Sequence, residues 1–345
     1  MIHFRMDDST VAVTVEEPDD LLALRRVIDM GDRIISDTTR VIKQEREYSR
    51  PDSGKRVRMR LAIEVESATL DHQLDRLRIR GVIVESSNEM ISRGSHHSLV
   101  VKPNDRLTIT KPKWSKVHRS LIRGGTDMGF VLVAVDSNGC GIGRLAGTHL
   151  HMLPEIHSGY SGKRYKGSFR IEDFFSEIRG AFITISKKGD TALVFGPGHT
   201  KNRLANYLQE NGTALNIRTA EGVDSGGQDG LYAFTKSDSV LAAISDSKLA
   251  MVSGIIRGVM ERASKKSERF TMGFDETRRA CSTGAIESLV FSNGALHGTG
   301  EDAVIELLNE AEALGAKVYS VDSSTDMGLQ VDGLGGMVSL LRFAA

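Results

Sequence analysis

Val57, Met59, Leu61, Ile63 and Val65 alternate with Arg58, Arg60, Ala62, Glu64 and Glu66. A period of two over that length puts one side of an extended strand in a core and the other in solvent. Shorter apolar runs around Ile34, Leu77 to Ile83, Leu99 to Val101 and Leu107 to Thr110 predict further strands. Their number and close spacing predict a small β-barrel. One helix interrupts them, from Asp20 to about Ile28, with Leu21, Leu24 and Ile28 on one face and Gly31 just past its end. Lys111-Pro112-Lys113 then breaks the pattern and reads as a linker.

From about Gly125 to Phe234 the pattern changes to strands alternating with helices. The apolar run Phe130 to Val135 meets Asp136-Ser137-Asn138-Gly139 and a second strand-like segment. Asn-Gly between two such runs predicts a hairpin on a tight type I′ turn, with positive φ at both central residues. Phe182 to Ile185 and Leu193 to Phe195, around Lys187-Lys188-Gly189-Asp190, predict another hairpin. A helix follows from near Lys201, with Leu204, Ala205 and Leu208 facing inward. The last block begins with helical signals through Lys266, then alternates helix and strand. Val304, Leu307, Leu308, Ala311 and Leu314 have clean helical spacing, and Val318 to Val321 and Val338 to Phe343 read as strands. The whole predicts a multidomain α/β protein in three blocks. These are a strand-rich domain over 1–115, a central mixed α/β domain over 125–235 and an α/β/α domain over 236–345.

Composition narrows the class. With 345 residues, 40% hydrophobic and 26% charged, the chain reads as soluble and globular, and it exceeds one ordinary core. No stretch has the length and apolarity of a membrane span, and Met1 to Asp8 is too polar for a signal peptide, so a cytoplasmic protein is expected. Cys140 and Cys281, far apart in a long chain, read as reduced and buried. The formal charge is zero, but the window 40–60 holds Arg40, Lys43, Arg46, Arg50, Lys55, Arg56, Arg58 and Arg60 against Glu45, Glu47 and Asp52. Such a block suits a phosphate-facing surface, or else a solvated strand face with ordinary cross-strand charges.

Four sets of residues offer other chemistry. Gly226-Gly227-Gln228 lies before Leu231 and reads as part of a flexible loop. Gly141-Ile142-Gly143-Arg144-Leu145-Ala146 satisfies a dinucleotide pattern but follows a hairpin turn instead of opening a helix, which discards it. His149-Leu150-His151 and His96-His97 lack a Cys or carboxylate at ligand spacing. Glu16, Glu17, Asp19 and Asp20 form an acidic cluster before the first helix. It suits helix capping, or a divalent cation that activates a water for RNA cleavage.

The order and spacing of short motifs over essentially the whole chain resemble the Pelota family, relatives of the eukaryotic class-1 release factor. The N-terminal elements are Asp20-Leu21-Leu22-Ala23-Leu24, Gly31-Asp32, Lys55-Arg56-Val57-Arg58, Glu64-Val65-Glu66, Leu77-Arg78-Ile79-Arg80-Gly81 and Lys113-Trp114. Ala134-Val135-Asp136 through Leu145, Gly162-Lys163-Arg164 and Gly196-Pro197-Gly198 follow in the centre. Gly315-Ala316-Lys317-Val318, Gly335-Gly336 and Leu341-Arg342-Phe343 complete the match. The family usually has Phe after Gly-Pro-Gly, where this chain has His199.

The resemblance implies an N-terminal Sm-like β-barrel and a C-terminal domain like the kink-turn-binding ribosomal-protein fold. It also implies a factor for ribosome rescue, mRNA surveillance and no-go decay, entering the A site of a stalled ribosome with a GTPase like elongation factor 1-alpha. The release factor carries its hydrolytic Gly-Gly-Gln in the loop after the central hairpin. Here that loop reads Ser158-Gly159-Tyr160-Ser161-Gly162-Lys163-Arg164, which implies entry without cutting the nascent chain. On this reading Lys43, Lys55, Arg56 and Arg58 face mRNA and ribosomal RNA, Lys163 and Arg164 meet RNA deeper in the site, and Gly196, Pro197 and Gly198 touch the GTPase. A metal-dependent endoribonuclease using Glu16, Glu17, Asp19 and Asp20 is the alternative, compatible with the first. A monomer is expected.

Overall fold

The computed structural model describes residues 1–42, 55–71, 76–88, 90–124, 129–147, 149–159, 170–211, 215–234, 244, 247–298, 300–323 and 325–345. The chain packs as two compact units, one formed by Met1–Gly125 with Lys265–Ala345 and the other by Thr126–Ser264. Among the described residues no helix is long and apolar enough to cross a membrane.

The first part of the first unit holds β1 (Ile2–Arg5), β2 (Thr10–Thr14), α1 (Pro18–Val27), β3 (Arg33–Ile42), β4 (Lys55–Leu70), β5 (Leu77–Ser86), β6 (His96–Val101), β7 (Arg106–Thr110) and α2 (Lys116–Arg123). The strands form one antiparallel sheet in the order β1-β2-β7-β3-β4-β5-β6. Met59, Leu61, Ile63 and Val65 of β4 are buried, as period two requires, against Leu21 and Leu24 of the α1 face.

Lys111 is no linker residue. It is 2% exposed, and its ammonium donates to the Val27 carbonyl (2.5 Å), Asp29 Oδ2 (2.7 Å) and Asp32 Oδ2 (2.6 Å). The chain end of the sheet is thereby tied to the last turn of α1, where helix carbonyls lack intrahelical donors and a cation is favoured. Trp114 follows, 8% exposed, donating its indole N–H to the Ser9 carbonyl at 2.8 Å.

The second unit holds β8 (Phe130–Val135), β9 (Gly139–Ala146), β10 (His149–Met152), β11 (Ile156–His157), α3 (Ile171–Ile185), β12 (Thr191–Phe195), α4 (Thr200–Glu210), β13 (Asn216–Thr219), α5 (Gly227–Phe234) and α6 (Lys248–Ser264). The sheet runs β10-β9-β8-β12-β13, with β8–β12 and β12–β13 parallel and β8–β9–β10 antiparallel. The expected hairpin at 182–195 is absent because Phe182 to Ile185 end α3. Phe174, Ile178, Phe182 and Ile185 recur at helical spacing and are all buried, so the last four residues read alone conceal the helix. The resulting helix carries the chain across to a parallel strand, a connection that a tight turn cannot make.

The closing part of the first unit holds β14 (Phe270–Met272), α7 (Phe274–Ser282), β15 (Ile286–Ser292), α8 (Asn293–Gly298), α9 (Glu301–Ala313), β16 (Lys317–Val321), α10 (Asp326–Gly333) and β17 (Met337–Leu341). Its sheet runs β14-β17-β15-β16, parallel only at β15–β16. Helix α9 meets α1 through two nearly buried arginines. Arg25 pairs with Glu301 at 2.5 Å and with Asp302, and Arg26 pairs with Glu312 at 2.6 Å and donates to Asn309 Oδ1 at 2.9 Å. Burial pushes the Arg26 pKa down, and the Glu312 carboxylate opposes it.

Candidate nucleic-acid interface

The register of β3 and β4 places the basic residues. Arg56, Arg58 and Arg60 are exposed and stand across from Val41, Thr39 and Asp37, while Val57 between them is half-buried and Met59 and the following Leu61 are buried. The row is thus an arginine-bearing strand face whose other side is core. Among the described residues the row makes one ion pair, Arg58 to Asp37 at 3.7 Å, which joins two well-exposed groups and is weak. Lys55 opens β4, with Ile42 opposite. Lys43, Lys163 and Arg164 lie outside the described residues.

Arg106 was not among the expected contacts. It is exposed on β7 and donates to Thr14 Oγ1 at 3.2 Å. The signal was present in Arg106-Leu107-Thr108-Ile109, a polar–apolar alternation like that of β4, but a lone arginine outside the dense basic window draws no attention.

The acidic cluster is occupied with structural tasks. Asp20 Oδ2 accepts the backbone N–H of Glu16 (2.8 Å) and Glu17 (3.1 Å). The α-ammonium of Met1 lies 3.0 Å from both Glu16 Oε2 and Asp20 Oδ2. Burial lowers the pKa of that ammonium, but the bonds to Asp20 and Glu16 outweigh burial and leave it raised. Asp19 and Asp20 sit in the first turn of α1, where the helix dipole favours a carboxylate. Among the described residues no three His, Cys, Asp or Glu side chains converge as a cation cage. His96 lies 3.1 Å from Glu66, and His97 lies 3.3 Å from Thr38 Oγ1.

In the second unit the β8–β9 hairpin forms without the expected turn: neither Asn138 nor Gly139 has positive φ. Asp136 Oδ1 instead accepts the N–H groups of Asn138 (2.7 Å) and Gly139 (2.9 Å), an Asx-type closure. Ser158 then anchors the start of the glycine-rich loop on this turn, through Asn138 O (2.8 Å) and Ser137 O (2.6 Å).

Gly226-Gly227-Gln228 is no flexible loop: it leads into α5. Gly227 has φ +64° and is buried, and the Gln228 N–H meets Glu155 Oε2 at 3.3 Å. A Cβ on Gly141 of β9 would stand 2.3 Å from the Gly227 carbonyl oxygen. Gly141 of the dinucleotide-like run therefore permits close packing of α5 on the sheet, while Gly143 leaves room for Leu150 and His151 of β10. Gly196-Pro197-Gly198 joins β12 to α4, and Lys201 ties it down by donating to the Gly196 carbonyl (3.0 Å) and Glu221 (2.7 Å).

Residues 2–125 match the family model of the Pelota N-terminal domain, and residues 249–345 match that of eRF1 domain 3. A protein pelota homolog of Nitrosopumilus maritimus (strain SCM1) is 52% identical, over 100% of this chain and 99% of that protein. The chain belongs to the Pelota family. The Thermoplasma acidophilum Pelota protein shares its fold, with TM-score 0.65 and 23% identity over the whole of both chains. Archaeoglobus fulgidus Pelota matches at TM-score 0.51 and 25% identity, over 99% of this chain and 98% of that one. The expected multidomain α/β architecture of Pelota proteins, strand-rich at the N-terminus, is the one observed.

Proposed function

We propose that this chain recognises ribosomes stalled on their message, enters the A site and promotes their release, delivered in the cytoplasm by a GTPase like elongation factor 1-alpha. The observation that carries the reading is the row Arg56, Arg58 and Arg60, exposed on a strand whose opposite side is core. A row of exposed guanidiniums on a strand fixed by the core beneath it suits a phosphate backbone, which such residues meet with geometric fit as well as charge. Membership of the Pelota family over the full chain supports it. Lys43, Lys55, Lys163 and Arg164 extend the RNA-facing set, and Gly196-Pro197-Gly198, tied by Lys201, offers a fixed backbone bend to the GTPase. On this reading the factor does not hydrolyse peptidyl-tRNA, because the loop after the central hairpin lacks Gly-Gly-Gln.

The test uses purified protein, a stalled ribosome carrying labelled message, and the GTPase. Splitting of subunits with the message intact is expected, and Arg56→Ala with Arg58→Ala should weaken ribosome binding and flatten its salt dependence. Unchanged affinity and slope would remove the row from the interface. New message ends that vanish when Glu16, Glu17, Asp19 and Asp20 are replaced would make the chain a nuclease as well.

A further inference from the structure

On the outer side of the first sheet, β1 leaves three apolar side chains in water: Ile2 (60% exposed), Phe4 (71%) and, just beyond the strand, Met6 (60%). A two-residue period places Ile2 and Phe4 on one face. The register sets Phe4 opposite Ala12, Ala12 opposite Thr108, and Thr108 opposite Ile35. Ala12, Thr108 and Ile35 therefore floor a groove of about 540 Å³ that Phe4 and Met6 wall on one side. Arg60 and Arg106 line the same groove, and among the described residues neither has a carboxylate partner. Its one lining carboxylate, Asp37, faces Arg58 at 3.7 Å. Two lining guanidiniums thus stand against one acid, which Arg58 beside the groove already faces.

We propose that this groove is a subsite for one unpaired nucleotide of single-stranded RNA, its base stacked on Phe4 and its phosphate met by Arg60 and Arg106. The proposal rests on the reading of the arginine row as RNA-facing, and it adds a base-stacking position at the end of that row. An exposed aromatic ring beside guanidiniums on an open sheet face is how single strands are held without regard to sequence, because every base has a π-face. The volume suits one small ligand, within the 300–1,000 Å³ range of such sites. A polypeptide partner needs roughly 800 Å² on each side, far more than three side chains on a short end strand supply. The positive excess also favours a polyanion over a second copy of this face, which would set like charges together.

The experiment titrates the full chain into a fluorescein-labelled oligouridine 12-mer by anisotropy between 50 and 200 mM KCl, and repeats binding on stalled ribosomes. Phe4→Ala should weaken oligomer binding about tenfold and Phe4→Trp should restore it. Arg106→Gln should weaken it and reduce the log–log salt slope by about 0.7. Met30→Ala, exposed but outside the groove, should change nothing. Trp114 fluorescence on heating checks that each variant is folded. Wild-type affinity and slope in both Phe4→Ala and Arg106→Gln would overturn the proposal, as would failure of the wild type to bind the oligomer. Sedimentation showing a dimer that Phe4→Ala dissolves would also overturn it, in favour of a second copy. If Arg56→Ala with Arg58→Ala loses stalled ribosomes while Phe4→Ala binds RNA normally, the groove is wrong and the arginine row stands. If the double variant binds ribosomes normally, the broader reading has failed instead.

Discussion

Replacing Lys111 with Met should destabilise the first unit by about 3–5 kcal/mol at neutral pH. Met keeps most of the buried stem, so lost packing is small and the loss is electrostatic. The ammonium now meets Asp32, whose side chain is 3% exposed, at 2.6 Å, and caps the Val27 carbonyl at 2.5 Å. Without it, Asp32 keeps only the Asp29 N–H at 2.8 Å and stands as a buried charge short of partners. Removing one member of a buried pair costs far more than removing both. Lys111→Met with Asp32→Asn should therefore recover a good part of the loss.

The pH dependence follows from the sign of the Asp32 shift. Burial raises its pKa above the ordinary 3.8 even with Lys111 pulling the other way, so deleting Lys111 raises it further. A raised folded pKa means the folded state holds a proton that the unfolded state has released, which favours folding as pH falls toward 3.8. The penalty of Lys111→Met should therefore be smaller at pH 4.5 than at pH 7.5. The chain has one tryptophan, Trp114, with the Lys111 ammonium 5.9 Å from its ring centre, so its fluorescence in urea reports this site directly. A loss under about 1 kcal/mol, or one equal at both pH values, would refute the argument that Asp32 is a charge held by Lys111.

The neighbouring His118 gives a second pH test. Burial, then Lys111, hold its pKa below 6.5 against the pull of Asp29, with Arg26 adding to the depression. Its contribution to stability is whole above pH 6.5 and is lost as pH falls through the lowered value, so His118→Phe should reduce the acid sensitivity of Trp114 unfolding between pH 7 and 5. In the second unit, Asp190 is 5% exposed and binds Arg144 Nε at 2.8 Å, so Asp190→Ala should cost about 3 kcal/mol, seen as faster amide exchange in β8 and β12. Gly141→Ala should cost about 1–3 kcal/mol by overpacking against Gly227, measured by chemical denaturation. Gln228→Ala should leave ribosome release at the wild-type rate.

How much of this was legible in the sequence depends on the range of the interactions involved. The strand β4 and helix α9 announce themselves, because period two and period 3.6 are local and each buries one side of its element. The outward arginines of β4 come with the same pattern. Lys111 does not announce itself because its partners lie 79 to 84 positions earlier in the chain, and a Lys-Pro-Lys run resembles a linker until Val27, Asp29 and Asp32 arrive beside it. The hairpin was recognised for the wrong reason: Asn-Gly suggested positive φ, but the Asp136 carboxylate supplies the closure that such a turn would have supplied. The glycines of β9 and α5 look like a dinucleotide motif and a hydrolytic tripeptide only while they are read separately. Brought together, Gly141 leaves room for the Gly227 backbone, and each motif accounts for the other.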